Sequence, residues 1–305
     1  MITALAGGVG AARFLTGLTQ LIKQEDLTVI VNTGDDIDLF GLHISPDIDI
    51  VTYTLASIIN DEKGWGIKDD TFNCLNMLKL FSEVDWFNLG DRDFATSILR
   101  TNMLKNGATL SQISAKVSRD LGLKLKILPM TDDKFATYVQ IPGDSIHFEE
   151  YMVKRAAKDP VLDVKFVGAE TAKPAEGVID AIMDSDRVII CPSNPIVSIG
   201  TILSIQGVRD ALRKTRAKKV AVSPIVAGAP IKGPADKLLN GLGVEVSAFG
   251  VAKLYVDFLD GFVIDSMDAA EKSRIEGLGV KVAVVNTLMK DLASKVALAK
   301  IVLDL

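Results

Sequence analysis

Two short stretches near the N-terminus hold the residue types that bind phosphate and the ions that travel with it. The run Ala6-Gly7-Gly8-Val9-Gly10-Ala11-Ala12-Arg13 lies between an apolar stretch, Ile2 to Leu5, and an amphipathic one, Phe14 to Ile22. This order predicts strand, glycine turn and helix, a geometry that aims free backbone N–H groups and the positive end of a helix at an anion. The next apolar run, Leu27 to Val31, empties into Asn32-Thr33-Gly34-Asp35-Asp36-Ile37-Asp38, with three carboxylates in four positions. A phosphate cradle beside an acid cluster suggests metal-assisted chemistry on a phosphorylated or diphosphate substrate. Asp35 and Asp36 would hold Mg²⁺ together with substrate oxygens. The same carboxylates also suit an acidic turn that caps a helix.

The glycine loop is neither of two familiar motifs. Ala12-Arg13-Phe14 stands where a P-loop needs Gly-Lys-Ser/Thr, and Arg13 occupies the third glycine position of a dinucleotide fingerprint. Arg13, one turn into the helix, offers either a fixed positive charge for a phosphate oxygen or a solvated helix face. Asp47 and Asp49 follow Ser45-Pro46 at a helix start, two residues apart, so they point in different directions and only one need face a site. His43 is a candidate acid or base, or a structural side chain. In Asn88-Leu89-Gly90-Asp91-Arg92-Asp93, Asp91 reads as an N-cap, and Arg92 places a cation in a helix first turn, where the dipole opposes it. Arg92 therefore invites a ligand. Two later turns are rich in hydroxyl and amide groups, Cys191-Pro192-Ser193-Asn194-Pro195 and Ser223-Pro224-Ile225-Val226-Ala227-Gly228.

The elements that must position these loops are short apolar runs separated by helical stretches: Ile2 to Leu5, Leu27 to Val31, Val188 to Ile190, Val220 to Val222, Phe262 to Ile264 and Val282 to Val285. Strands apolar on both faces predict an α/β, doubly wound, mostly parallel sheet, whose ligands lie beyond the carboxyl ends of the strands. Residues 46 to 122 read as almost wholly helical, with helices from Ser45-Pro46-Asp47, over Lys68 to Phe81, and over Asp91 to Asn106 with Gly107 as the stop. Lys124 to Val167 reads as short antiparallel strands. We therefore expect a core of residues 1–40 and 168–305 and an inserted helical and small antiparallel β cap over 41–167.

Composition narrows the partners. The chain has 305 residues and a formal net charge of -5, which gives no overall attraction for nucleic acid or an anionic membrane. Hydrophobic residues reach 48%, yet no apolar run approaches the roughly 20 residues of a spanning helix. Cys74 and Cys191 are too few for a disulfide framework, and each reads as a small buried hydrophobe. No export signal is visible, and a cytoplasmic location is expected.

Taken in order, several of these loops resemble the 2-phospho-L-lactate transferase family of coenzyme F-420 biosynthesis. The resemblance runs through Gly7-Gly8-Val9-Gly10, Asn32 to Asp36, Gly41-Leu42-His43-Ile44-Ser45-Pro46-Asp47-Ile48-Asp49, Tyr53-Thr54-Leu55, Gly64-Trp65-Gly66, Asn88 to Asp93, Pro192-Ser193-Asn194-Pro195 and Ser223 to Val226. It implies a Rossmann-like core, a homodimer and a Mg²⁺-dependent transfer of phospholactate from lactyl-2-diphospho-5′-guanosine to the deazaflavin Fo, forming coenzyme F-420-0 and GMP. Carried over by motif, Asp49 and Arg92 fall on the acceptor side, while Gly8, Gly10, Ser193 and Asn194 fall on the guanosine diphosphate side. Val9, Ala11 and Arg13 stand where many members have Thr, Gly and Lys. In this reading Asp35 and Asp36 organise the metal, Gly8, Gly10 and Ser193 hold phosphates, and Asp49 orients or deprotonates the attacking hydroxyl. The alternatives are a phosphoenolpyruvyl donor, a non-catalytic nucleotide-sugar-binding regulator of related fold, and a nicotinamide-dependent dehydrogenase.

Overall fold

The computed structural model describes residues 1–305. The chain opens with β1 (Ile2–Ala6), α1 (Gly8–Leu18) and β2 (Leu27–Val31), then makes a hairpin of β3 (Ile37–Leu39) and β4 (Leu42–Ile44). Four helices follow, α2 (Pro46–Leu55), α3 (Asn73–Leu78), α4 (Asp91–Lys105) and α5 (Leu110–Asp120), before β5 (Lys126–Pro129). A separate antiparallel sheet comprises β6 (Ala136–Ile141), β7 (Asp144–His147) and β8 (Asp163–Val167). Alternation then resumes with α6 (Val178–Met183), β9 (Arg187–Ile190), α7 (Ile199–Ser204), α8 (Val208–Lys214) and β10 (Lys218–Val222). After a small hairpin of β11 (Ile225–Val226) and β12 (Ala229–Pro230) come α9 (Ala235–Gly241), α10 (Ala248–Tyr255), β13 (Gly261–Asp265), α11 (Lys272–Glu276), β14 (Lys281–Val285) and α12 (Leu292–Asp304).

Seven strands form one parallel sheet in the order β14-β13-β10-β9-β1-β2-β5. The chain builds outward from β1 to β5, then returns to β9 on the other side of β1 and builds the opposite way. The gap beyond β1 and β9 is thus the topological switch point, where such sheets leave a crevice. Both faces are covered, as the apolar runs require. Leu5, Ile30, Val188, Ile190, Phe262 and Ile264 enter one core, while Ala4, Ala6, Val29, Val31, Ile189 and Val263 enter the other. α1, α2 and α12 cover the second face. The first face takes α6 to α8 and the small β6–β8 sheet, whose Val139, Ile141 and Ile146 join the same core.

The insertion is smaller than residues 41–167. β5, expected among the antiparallel strands, is instead the edge strand of the main sheet, and α5 packs against it. A four-residue strand ending in Pro129 suits an edge, where no neighbour needs its missing N–H. The cap has its own small core of Ile44, Leu75, Phe87, Leu89 and Phe94. Residues 56–72 and 79–90 are not helical, and the helix expected from Lys68 to Phe81 shrinks to α3. Asp91 supplies one reason: its carboxylate accepts from the N–H groups of Asn73 and Cys74 and so caps α3, while Gly90 is the N-cap of its own helix. Cys191 is buried, but Cys74 is exposed.

α1 meets α12 at Gly17, where an added Cβ would lie 2.3 Å from the Lys295 carbonyl. We expect Gly17→Ala to lower stability by about 1–3 kcal/mol, read as a lower denaturant midpoint at unchanged slope. An unchanged midpoint would mean that the two helices have room to part.

Candidate active site

A cavity of about 240 Å³ opens at the switch point, between the loops after β1 and β9. Its floor is the glycine loop. Gly8 takes φ of +67°, a left-handed conformation that favours glycine, and Gly10 approaches Pro192 so closely that a Cβ would lie 2.2 Å from its carbonyl oxygen. The first turn of α1 has no side-chain cap and no acidic residue. Asp47 of α2 comes up against this turn and accepts from the Gly8 N–H, while the glycine loop, with the positive end of the helix dipole behind it, lines the cavity. Ser193 joins the two strand ends: its hydroxyl donates to the Gly7 carbonyl at 2.8 Å and accepts from the Gly7 N–H at 3.2 Å. Asn194 folds its own turn, its side-chain oxygen accepting from the N–H groups of Ile196 and Val197.

Carboxylates form the adjoining wall, with Asp47 against Gly7 and Gly8 of the loop itself. Asn32 is their anchor, donating to Asp47 at 2.9 Å while its carbonyl accepts from the Gly34 N–H and the Thr201 hydroxyl, each at 2.7 Å. Asp35, Asp47 and Glu149 all line the cavity and all are buried. Burial raises each of them, helped by mutual repulsion: Asp35 goes well above the usual carboxylate range, Asp47 to about 7 and Glu149 to about 8. One oxygen of Asp35 and one of Asp36 are buried with no hydrogen-bond donor. No three His, Cys, Asp or Glu side chains converge to enclose an ion by themselves. The donor set fits a cation held by one or two carboxylates and completed by a ligand's phosphate oxygens.

The positive groups stand at the mouth. Arg13 and Lys232 both line the cavity, and the Lys232 ammonium donates to the Lys63 carbonyl at 3.0 Å. Burial and the nearby Arg13 charge lower Lys232. An incoming polyanion would relieve both the repulsion between these cations and the unmet needs of the first turn of α1.

A second cavity, of about 100 Å³, lies in the cap and is lined by Asn60, Lys63, Trp65, Gly66, Ile67, Asp69, Asp70, Phe72 and Asp93. Lys63 sits over both aromatic rings, 5.2 Å from Trp65 and 4.7 Å from Phe72. The loop bearing Trp65 touches both cavities. A Cβ on Gly64 would lie 3.2 Å from Val9 of the glycine loop, and one on Gly66 would lie 3.3 Å from Asp93.

Behind these walls runs a buried charged network. Arg100, on α4 and only 2% exposed, pairs with Asp49 and also donates to the His43 carbonyl at 3.3 Å. Burial raises the Asp49 carboxyl and Arg100 draws it partly back. Asp36 accepts from the Ser45 hydroxyl at 2.8 Å and meets a His43 ring nitrogen at 3.1 Å, while the other His43 nitrogen lies 2.9 Å from exposed Asp38. Burial alone would lower His43, but the two carboxylates outweigh it and raise the imidazole.

The fold thus brings Gly8, Gly10, Arg13, Asp35, Ser193 and Asn194 to one cavity. Of the helix-start pair, Asp47 faces it and Asp49 does not. Asp36 lies behind the wall with His43. Arg92 is exposed beside the smaller cavity, its N–H on Asp70 and its guanidinium on the Lys68 carbonyl at 3.3 Å. Glu149, Lys232, Arg100 and Asp93 were not singled out for a role from sequence. Asp93, Ser97 and Arg100 do share one face of α4, a buried polar stripe where apolar side chains are usual.

These features define a doubly wound α/β protein with an anion-binding turn and an acid wall at its switch point. The 2-phospho-L-lactate transferase CofD family model matches residues 2–297. A phosphoenolpyruvate transferase of Streptomyces griseus is 45% identical over 100% of this chain and 98% of its own length. A 2-phospho-L-lactate transferase of Methanosarcina mazei is 40% identical over 98% of each chain. The crystal structure of protein BH3568 from Bacillus halodurans shares the fold, with a TM-score of 0.65 at 16% identity over 99% of this chain and 98% of that one. The chain belongs to the CofD 2-phospho-L-lactate transferase family and is a transferase of that family.

Two outcomes follow from the buried charges. Arg100→Leu leaves Asp49 without its counterion, and we expect a loss of about 3–5 kcal/mol in denaturant unfolding. The raised values of Asp47 and Glu149 mean that the folded protein keeps protons that the unfolded chain releases, so this stability is present at about pH 4 and drains as pH rises through about 7 to 8. In chelator, Tm should fall by several degrees from about pH 5 to about pH 8, and Mg²⁺ should restore more at the higher pH. A Tm that rises over that interval contradicts the assignment.

Proposed function

We propose that the protein transfers a phosphorylated three-carbon acid from a guanosine diphosphate-linked donor to the terminal hydroxyl of the deazaflavin Fo, with Mg²⁺ as cofactor. With a phospholactyl donor the products are coenzyme F-420-0 and GMP. One observation carries the reading: the glycine turn at the start of α1 and the carboxylate Asp35, one oxygen of which is buried without a donor, line the same cavity, against which the loop of an aromatic-lined one leans.

The donor diphosphate lies along the first turn of α1, with Gly8 and Gly10 admitting it to the backbone and Arg13 and Lys232 over its outer oxygens. Asp35, and Asp36 from behind the wall through its donor-free oxygen, would hold Mg²⁺, and the ion would supply positive charge to a diphosphate. Ser193 and Asn194 act on the guanosine side chiefly by fixing the two loops against each other. On the acceptor side the ring of Fo would enter at Trp65 and Phe72 by displacing the Lys63 side chain that now lies over both rings, with Arg92 at the rim and Asp49, held by Arg100, orienting the hydroxyl end. Catalysis is then mostly positioning and electrostatics.

A phosphoenolpyruvyl donor is a specific second reading. The Streptomyces griseus relative named for that group is 45% identical, against 40% for the Methanosarcina mazei relative named for phospholactate. A regulator that only binds nucleotide sugars is disfavoured by family membership. Pairing into a homodimer and a cytoplasmic location belong to the same proposal. No helix is long and apolar enough to cross a membrane.

The test is mass spectrometry of products after incubation with Fo, Mg²⁺ and each guanosine donor. The expected result is an acceptor bearing the phosphorylated acid together with GMP, from one donor in strong preference. Absence of product from both contradicts the proposal. Asp35→Asn should lower kcat by about 10²-fold and raise the Mg²⁺ requirement.

A further inference from the structure

The transfer leaves one proton to be placed. Attack of the acceptor's primary alcohol forms a bond to the donor phosphorus, the phosphoanhydride bond to GMP breaks with its electrons going to the GMP phosphate, and the hydroxyl proton must leave. Asp49 is poorly suited to take it. Its carboxylate is held by the buried guanidinium of Arg100, and protonation would strand that charge.

Asp93 is placed differently. It lines the smaller cavity with Trp65 and Phe72, and it lies against Gly66 of the loop that also touches the glycine turn at Val9. One of its oxygens accepts the Gly90 N–H at 3.2 Å, and the other is buried with no hydrogen-bond donor. A buried acceptor left empty in the free protein is costly and calls for a donor in the working complex. On the transferase reading above, we propose that Asp93 is the catalytic base, its free carboxylate oxygen accepting the proton of the acceptor's attacking hydroxyl.

The groups facing Asp93 suit this work. Asp49 and Asp70 add negative charge, Arg100 and Lys63 add positive charge, and Tyr53 on α2 is buried nearby with its hydroxyl on Thr96. Burial and the two carboxylates raise Asp93 to about 7, against a smaller pull from the Gly90 N–H and Arg100. A base near neutrality is ionised often enough to act and basic enough to help.

The experiment is the single-turnover rate with Fo, saturating Mg²⁺ and the guanosine donor that gives product, from about pH 5.5 to 9. Wild type should lose rate about tenfold per pH unit below about 7. Asp93→Asn, which keeps an oxygen for Gly90, should cut the rate by about 10²- to 10⁴-fold, flatten that limb and leave the KM for Fo within about threefold. Asp49→Asn should retain the limb, and Asp93→Glu should recover part of the rate with it. A wild-type rate flat between pH 6 and 8 overturns the assignment without any variant, as does Asp93→Asn with the limb intact. A wild type that forms no product from either donor overturns the transferase reading instead.

Discussion

The repulsion among buried carboxylates is the constraint around which this structure is arranged. Asp35, Asp36, Asp47 and Glu149 are gathered at the carboxyl ends of β1 and β2 with too little positive charge to balance them. Burying one unpaired carboxylate is costly, and burying several is tolerable only if they hold protons or gain a cation. The free protein takes the first course, as the raised values of Asp47 and Glu149 record. A divalent ion arriving with a diphosphate offers the second. On the function proposed above, the cluster keeps binding energy in reserve until ligand and metal enter together.

The fold makes this arrangement affordable by treating the two sides of the crevice differently. Asn32 and Thr201 fix the acid wall through side-chain hydrogen bonds across the switch point, and Ser193 fixes the glycine loop through Gly7. Arg100, by contrast, forms its ion pair with Asp49, which stays a holding group, while Asp93, on the same face of α4, keeps an unfilled oxygen. One loop, residues 60–67, leans on Val9 at one end and Asp93 at the other, and so joins the two cavities through a few residues.

Much of this was legible in the sequence, for identifiable reasons. Six of the seven sheet strands are apolar on both faces and announce a covered parallel sheet, and the chain does form one. The glycine turn and the Asp35 loop were legible because each is local. β5 escaped notice because Lys126 and Pro129 interrupt its short apolar pattern, although an edge strand tolerates both. Glu149 and Lys232 are contributed by distant segments, and nothing around either residue states that the fold will carry it to the crevice. Arg100 and Asp93 were signalled weakly, by polar residues on the face of α4 that ordinarily packs. Residues 56–72 and 79–90 read as helical, yet the first folds on short non-helical bonds such as Asn60 N–H to the Gly66 carbonyl and Lys68 N–H to the Ile58 carbonyl, and α3 takes its cap from Asp91 beyond the second.

Proton release on ligand binding tests the central claim most directly. Titration calorimetry of GDP with Mg²⁺ at pH 7, repeated in buffers of different ionisation enthalpy, counts the protons expelled as the acid wall ionises around the metal. The account predicts release of about one proton or more per site, with GDP binding much weakened in chelator. Binding of equal strength with and without Mg²⁺ and no proton release would contradict it.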